Sequence, residues 1–287
     1  MNSESTPHRE NPLQVRSDSL LANARAVASR SETLRFLVAS ELKSGHRDKV
    51  LGNLWNLLDP LLFLGVYFLV FGIGLRQAGD DPTEFILYLA IGVLAFRFTD
   101  GCITQAATCI RANRGIIEQL PFPKALLPIA VCACRLYDYG WSLVVLAGVL
   151  LAMSHPLTAQ LAWTPVFVAL QFLFSLGVAF GVAYMGAFFA DTSNIVAVGS
   201  RLLFFGSPIC YFARSEPGHP GIVAPEYLAY YNLNPLAGLL DSYRDVLLWG
   251  RMPAGETALY VVAIAIASLF LGFALFTRGE RHFAKYL

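Results

Sequence analysis

Charge is what this sequence has least of. Asp, Glu, Lys and Arg make up 14% of its 287 residues, whereas a soluble domain carries about 25%. The few charges are also clustered. Residues 139–190 contain none, and neither do residues 257–277. A helix crossing a bilayer needs roughly 20 predominantly apolar residues. The first run is therefore long enough for two crossings and the second for one. Several chemistries are missing too. The phosphate-cradling pattern G-x-x-x-x-G-K-[ST] occurs nowhere, so any use of ATP requires another chain. The five cysteines, Cys102, Cys109, Cys132, Cys134 and Cys210, match no zinc or haem spacing and suit small core positions. His8, His46, His155, His219 and His282 are scattered without metal-ligand spacing. With a net charge of +1 there is no basic footprint for nucleic acid. The first 30 residues hold no apolar stretch of signal-peptide type, so the first span is expected to direct insertion itself.

What is present predicts an all-α membrane protein. A polar cytoplasmic tail, residues 1–28, precedes one transmembrane domain, residues 29–287. Six spans are expected at about 57–75, 85–110, 126–152, 163–190, 195–212 and 257–277. Before the first span, Ser29 and Glu32 suggest a capping box. Leu34, Leu37, Val38 and Leu42 then recur at helical spacing, with Arg35, Glu41 and Lys43 on the other face. This predicts an amphipathic helix at the membrane interface. Before the last span, Asn234-Pro235 is an N-cap with Pro at the first helical position. Leu236, Leu239, Leu240, Tyr243, Val246 and Leu247 follow as a stripe, with Asp241, Arg244 and Asp245 opposite. That predicts an outer helix, interfacial or partly re-entrant.

Lys and Arg set the orientation. With both termini cytoplasmic, fifteen of the 21 Lys and Arg residues fall on that side, Arg201 among them. Only Arg76, Arg214, Arg244 and Arg251 fall on the other. Arg97 and Arg135 lie inside spans, each with an acid three residues on, Asp100 and Asp138. Residues at i,i+3 share a helix face. Each set can be a polar pathway or proton relay, or simple local neutralisation. Aromatics also cluster: Phe63, Tyr67, Phe68 and Phe71 on the first span, Phe204, Phe205, Tyr211 and Phe212 on the fifth. Such rings can stack on sugar faces, or they can pack against lipid and core.

Residues 49–61, KVLGNLWNLLDPL, resemble the opening of ABC-2 type permeases that export polysaccharides. Matches continue in order. They are Leu120-Pro121-Phe122-Pro123-Lys124 with Tyr137-Asp138, Ser207-Pro208-Ile209 with Tyr211, Asn234-Pro235-Leu236 with Tyr243-Arg244, and Glu280 with Phe283. The resemblance covers residues 31–287 and is nearest the lipopolysaccharide O-antigen type. Phe189-Ala190 stand before Asp191, where the family often has a basic residue. The resemblance implies a transport subunit and no enzyme. It implies a homodimer that binds two copies of a separate ATPase, which would hold ATP and Mg, in the bacterial inner membrane. The implied cargo is undecaprenyl-linked polysaccharide. It further implies coupling to the ATPase through Asn113, Ile116, Ile117, Glu118 and Leu120. Phe63, Tyr67, Phe71, Phe204, Phe205 and Tyr211 would line the channel. Leu34, Arg35, Leu37, Val38 and Leu42 would form a gate helix. Capsule or teichoic-acid export is the alternative cargo. A membrane-embedded glycosyl- or acyltransferase would need acids or histidines clustered at one interface.

Overall fold

The computed structural model describes residues 20–46, 54–74, 82–119, 122–216, 221–280 and 283. Residues 47–53, which carry the start of the permease-like opening, lie outside the described residues, as do Leu120 and Pro121. So do Leu75, Arg76 and the basic tail residues Arg281 and Lys285. Among the described residues the fold is all helical, with eleven α-helices and no strand.

Five stretches among the described residues are long and apolar enough to cross a membrane. The first is α3 (Trp55–Tyr67), which runs on as a π-helical segment, Phe68–Gly74. Pro60 lies inside α3 and has no N–H to give its turn. The second is α4 (Pro82–Ala112) and the third α6 (Leu126–Ala152). A 3₁₀ turn at Ala159–Trp163 leads into α7 (Thr164–Phe188), the fourth. The last is α11 (Gly255–Gly279).

The span expected at 195–212 is not one helix. Helix α8 (Thr192–Phe205) has 14 residues, about 21 Å at 1.5 Å per residue, short of a core roughly 30 Å thick. It ends at Gly206, and Asn234 from a later element secures that end. The Asn234 amide donates to the Gly206 carbonyl at 3.0 Å and to Ser207 Oγ at 2.9 Å. Its Oδ1 accepts the Leu236 N–H at 3.0 Å, so the same side chain also starts α10 (Pro235–Leu247).

Helix α4 is the axis of the bundle and is buried along most of its length. It runs parallel to α7: the Gln171 amide donates to the Ala95 carbonyl at 2.7 Å, and Thr99 meets Ser175 at 3.1 Å. One side chain from α10 joins this knot, with Tyr243 Oη donating to Gln171 Oε1 at 2.9 Å. Helix α7 is in turn parallel to α11. Ser268 donates to the Phe174 carbonyl at 3.1 Å, and Phe180 meets Phe273 and Phe276 further along. Their backbones touch where Gly177 faces Gly272, the small-residue packing that lets helices approach in lipid. Helix α8 runs the opposite way to α4, placing Ser200 at Asp100 and Phe204 at Phe96.

One local expectation needs correcting. Ser29 is not a cap for α2 (Ser31–His46), because its hydroxyl donates to the Ala26 carbonyl at 2.9 Å. The last part of the polar tail is helical: α1 (Leu20–Ala28) sets Val27 against the core. Arg201 lies in the third turn of α8, exposed. The stripe expected on α2 is real: Leu34, Leu37, Val38 and Leu42 are half-buried, Arg35 and Lys43 exposed.

Candidate functional site

The aromatics of α3 and α8 come together. Along α3, Phe63, Tyr67 and Phe71 succeed one another with ring centroids 6.4 and 6.1 Å apart, a spacing set by their i,i+4 positions. Tyr67 meets Phe204 of α8 at 5.4 Å, and Phe204 meets Phe205 at 5.2 Å. Phe205 is 66% exposed and Phe63 43%, so the column opens away from the bundle. Tyr211 continues it past the end of α8. Its hydroxyl lies 2.9 Å from that of Tyr231 and donates to the Phe205 carbonyl at 2.8 Å. The six aromatics named from sequence are thus neighbours. Phe96, which also touches Phe204, and Tyr231 were not foreseen, because they sit in other elements.

The intramembrane charges are arranged differently from expectation. Arg135 and Asp138 do pair, at 2.9 Å. Arg97 and Asp100 do not pair with each other. Arg97 forms its ion pair with Asp59 of α3, and its guanidinium lies 4.1 Å from the Phe63 ring centroid. Asp100 instead accepts from Ser200 of α8 and from Thr104. The i,i+3 spacing was satisfied on one helix and overridden on the other by tertiary partners.

These side chains surround a cavity of about 620 Å³ between α2, α3, α4 and α6. Glu41, Asp59, Asp100 and Asp138 face Arg97 and Arg135 across it, with Trp55, Phe98 and Tyr139 as its apolar parts. Four carboxylates against two guanidiniums make it net negative. Gly101 leaves room for the arginine, since a Cβ there would lie 2.9 Å from Arg135 Cδ. A relay ties α2 to this wall. Arg135 donates to Gln105 at 2.8 Å, and Gln105 donates to Glu41 at 2.9 Å. Of the residues expected to form a gate helix, Leu42 lines the cavity, next to Glu41, which sequence placed only on the polar face.

Helix α10 is buried along nearly all of its length, Arg244 and Asp245 included. Arg244 is fully buried, its guanidinium 3.3 Å from the Tyr88 ring centroid and 3.8 Å from Asp241. Gly92 makes this possible, because a Cβ there would lie 2.7 Å from Arg244 Nη2. A face of Asp241, Arg244 and Asp245 turned to water is thus not what the fold uses. Arg251 closes the same corner, bonding Asp245 at 2.6 Å.

The short helix α5 (Arg114–Gln119) lies between α4 and α6 in the chain. Ile116 is exposed, and Arg114 pairs with Glu118 at 2.6 Å. Ile117 turns back onto the protein's own core, so it is not offered outward. The Asn113 amide donates to the Cys109 carbonyl at 2.9 Å, ending α4. The Lys124 N–H donates to Glu280 at 2.6 Å. Phe283 is buried among Tyr184, Phe188 and Phe276. Burial raises the Glu280 carboxyl above its usual range, against the Lys124 contacts that lower it. Burial also lowers the Lys124 amine, against Glu280. Among the described residues no group of His, Cys, Asp and Glu is arranged to hold a metal.

A bundle of apolar helices with paired charges inside it and aromatics on an open face is built for moving something across a bilayer. Residues 32–248 match the ABC-2 type transporter family, and the chain belongs to it. Its relatives include the O-antigen export system permease protein RfbA of Myxococcus xanthus, 27% identical over 87% of this chain and 93% of that protein. A Klebsiella pneumoniae protein of the same name is 24% identical, over 89% of this chain and 95% of its own length. The polysialic acid transport protein KpsM of Escherichia coli is 23% identical, over 86% and 93% respectively.

Proposed function

We propose that this protein is the membrane permease of an ABC exporter for lipid-linked polysaccharide, of O-antigen type. It would work as a homodimer with two copies of a separate ATPase, which supplies ATP and Mg, in the bacterial inner membrane. The polymer would be carried on undecaprenyl. The relatives named for O-antigen export support the cargo. The similarity to KpsM favours capsular polysaccharide as the second choice.

The observation that carries a conducting role is Arg201. It is exposed ten residues into α8, about 14 Å along the helix axis. A charge at that depth avoids lipid and faces water or protein. Phe205, one turn on, shares the exposed face. An aqueous path along α3 and α8, enclosed by a second copy, accounts for both. Rings there slide along sugars without fixing one residue.

Six crossings with both termini cytoplasmic accord with the packing. Helices α7 and α11 run parallel, so the chain returns between Phe188 and Gly255. Helix α8 and residues 206–212 make that return, and α10 re-enters from the outside. Basic side chains on the loops agree in sign. Helix α5 is the docking point for the ATPase, and α2 the gate over the cavity.

Deleting the gene should leave full-length polymer on the cytoplasmic side of the membrane. Restoring export should require this chain together with its ATPase. Surface polymer that is unchanged in the deletion strain would refute the assignment.

A further inference from the structure

We propose that Arg97 and Asp100 are positioning residues that latch both pathway helices to α4, and that they exchange partners when the pathway opens. The proposal rests on α3 and α8 lining that pathway.

The two helices are held unequally. Helix α4 is the most enclosed crossing, whereas α3 buries only Pro60 and Leu64, and α8 only Thr192 and Val196. Apolar contact inside the protein therefore fixes α3 and α8 less than it fixes α4. Their polar ties to α4 are specific. Arg97 holds α3 through Asp59, and Asp100 holds α8 through Ser200. The two α4 residues are three apart, on one face. A pair of adjacent side chains on the fixed helix thus secures both mobile ones.

The same spacing provides an alternative partner. A charge left alone inside a membrane protein is strongly unfavourable. If α3 moved outward, Asp59 would leave Arg97. Asp100 is within reach on the same face, and Ser200 is a neutral donor that it can give up. Arg97 also has capacity for a second carboxylate. Its Nη1 is buried and makes no hydrogen bond among the described residues. The cavity beside it supplies the space for the guanidinium to turn. The opening step therefore replaces Arg97–Asp59 by Arg97–Asp100 and frees α8 in the same act. This couples the two helices without leaving Arg97 unpaired; the aqueous pathway opened by the movement hydrates Asp59.

The test uses the full transporter in nanodiscs with its ATPase, in a background without the five native cysteines, all of which are buried. A single cysteine at position 64, where Leu64 is buried, reports the α3 side through its rate of labelling by a water-soluble maleimide. Asp59→Asn should raise that rate about tenfold in the resting protein, as expected for loss of a population bias of that size. The swap Asp59→Arg with Arg97→Asp should return it to within about twofold of the parent. Should Asp59→Asn fail to accumulate, Ser200→Ala reads the other arm, raising labelling of a cysteine at position 204. Asp100→Asn keeps an acceptor for Ser200 and loses the charge. It should leave resting labelling low and cut export about tenfold or more. An unchanged rate in Asp59→Asn, a swap that does not rescue, or normal export by Asp100→Asn would overturn the latch. The aromatic variant Tyr67→Ala with Phe204→Ala separates this from the underlying assignment. If it too exports normally, α3 and α8 do not line the path. If it is impaired while the charge variants behave as the parent, only the latch fails.

Discussion

Replacing Gly177 by Ala should destabilise this protein strongly, although Ala is the better helix former. A Cβ on Gly177 would collide with the backbone of Ser268 and Leu269 on α11. Backbone cannot turn aside as a side chain can, so the two helices must separate. Overpacking of this kind costs roughly 1–3 kcal/mol. Separation also loosens Phe180 from Phe273 and Phe276, whose ring centroids lie 5.4 and 5.5 Å away. Each aromatic pair is worth about 0.5–1.5 kcal/mol. Against this, Gly to Ala gains about 1 kcal/mol of helix propensity. The net loss is about 3 kcal/mol, a large part of a total stability on the order of 5–15 kcal/mol. Gly181 is the control, one turn along the same helix, with nothing within 4 Å of an added Cβ. Gly181→Ala should be neutral or gain up to about 1 kcal/mol. At roughly 3 °C per kcal/mol, the two variants should differ by about 10 °C in melting temperature. Fluorescence-detected size exclusion after heating, in detergent, measures it. Equal melting temperatures would refute the parallel α7–α11 contact and, with it, the return crossing between them.

Removing one ring of the α3–α8 column should cost little, whereas Tyr67→Ala with Phe204→Ala should slow export or shift polymer length with the dimer intact. Gel profiles of surface polymer and cross-linking of the protomers report the two effects. Ile116→Asp with Glu118→Lys should uncouple ATP hydrolysis from export while the protein stays in the membrane. The substitution is placed at Ile116 because Ile117 packs inward; normal export by the pair would mean that the ATPase docks elsewhere. Burial raises the Glu280 carboxyl, so its proton is held more tightly folded than unfolded. Its contribution is fully present below the unfolded pKa and is lost as pH rises through the folded one. Lys124, lowered by burial from 10.5, titrates above that window in the unfolded chain. Melting temperature should therefore fall as pH rises above the ordinary glutamate range and through the raised folded pKa, and less steeply in Glu280→Gln, which keeps an acceptor for the Lys124 N–H. Identical slopes in the two proteins would exclude Glu280 as the source.

The sequence by itself determined what depends on neighbours along the chain. Charge-free runs the length of a bilayer core fixed the membrane class, and each of the five long helices among the described residues overlaps a span expected from hydropathy. The stripe of Leu34, Leu37, Val38 and Leu42 and the cap at Asn234 are also local, set by helical period and by one side chain reaching two residues ahead. Aromatics four apart on α3 had to share a face. Only the tertiary structure decided who meets whom. Arg97 and Asp100 look like a pair in sequence, yet Arg97 takes a partner 38 residues away and Asp100 one 100 residues away. Asn234 ends α8 from 28 residues beyond it, so hydropathy, which continues past Gly206, could not show where that helix stops. Arg244 looked like a residue for water and is buried on Tyr88, in space that Gly92 leaves open. A buried charge is settled by whichever partner the fold brings within bonding distance, and that distance is a property of packed helices. Periodicity along one helix does not contain it.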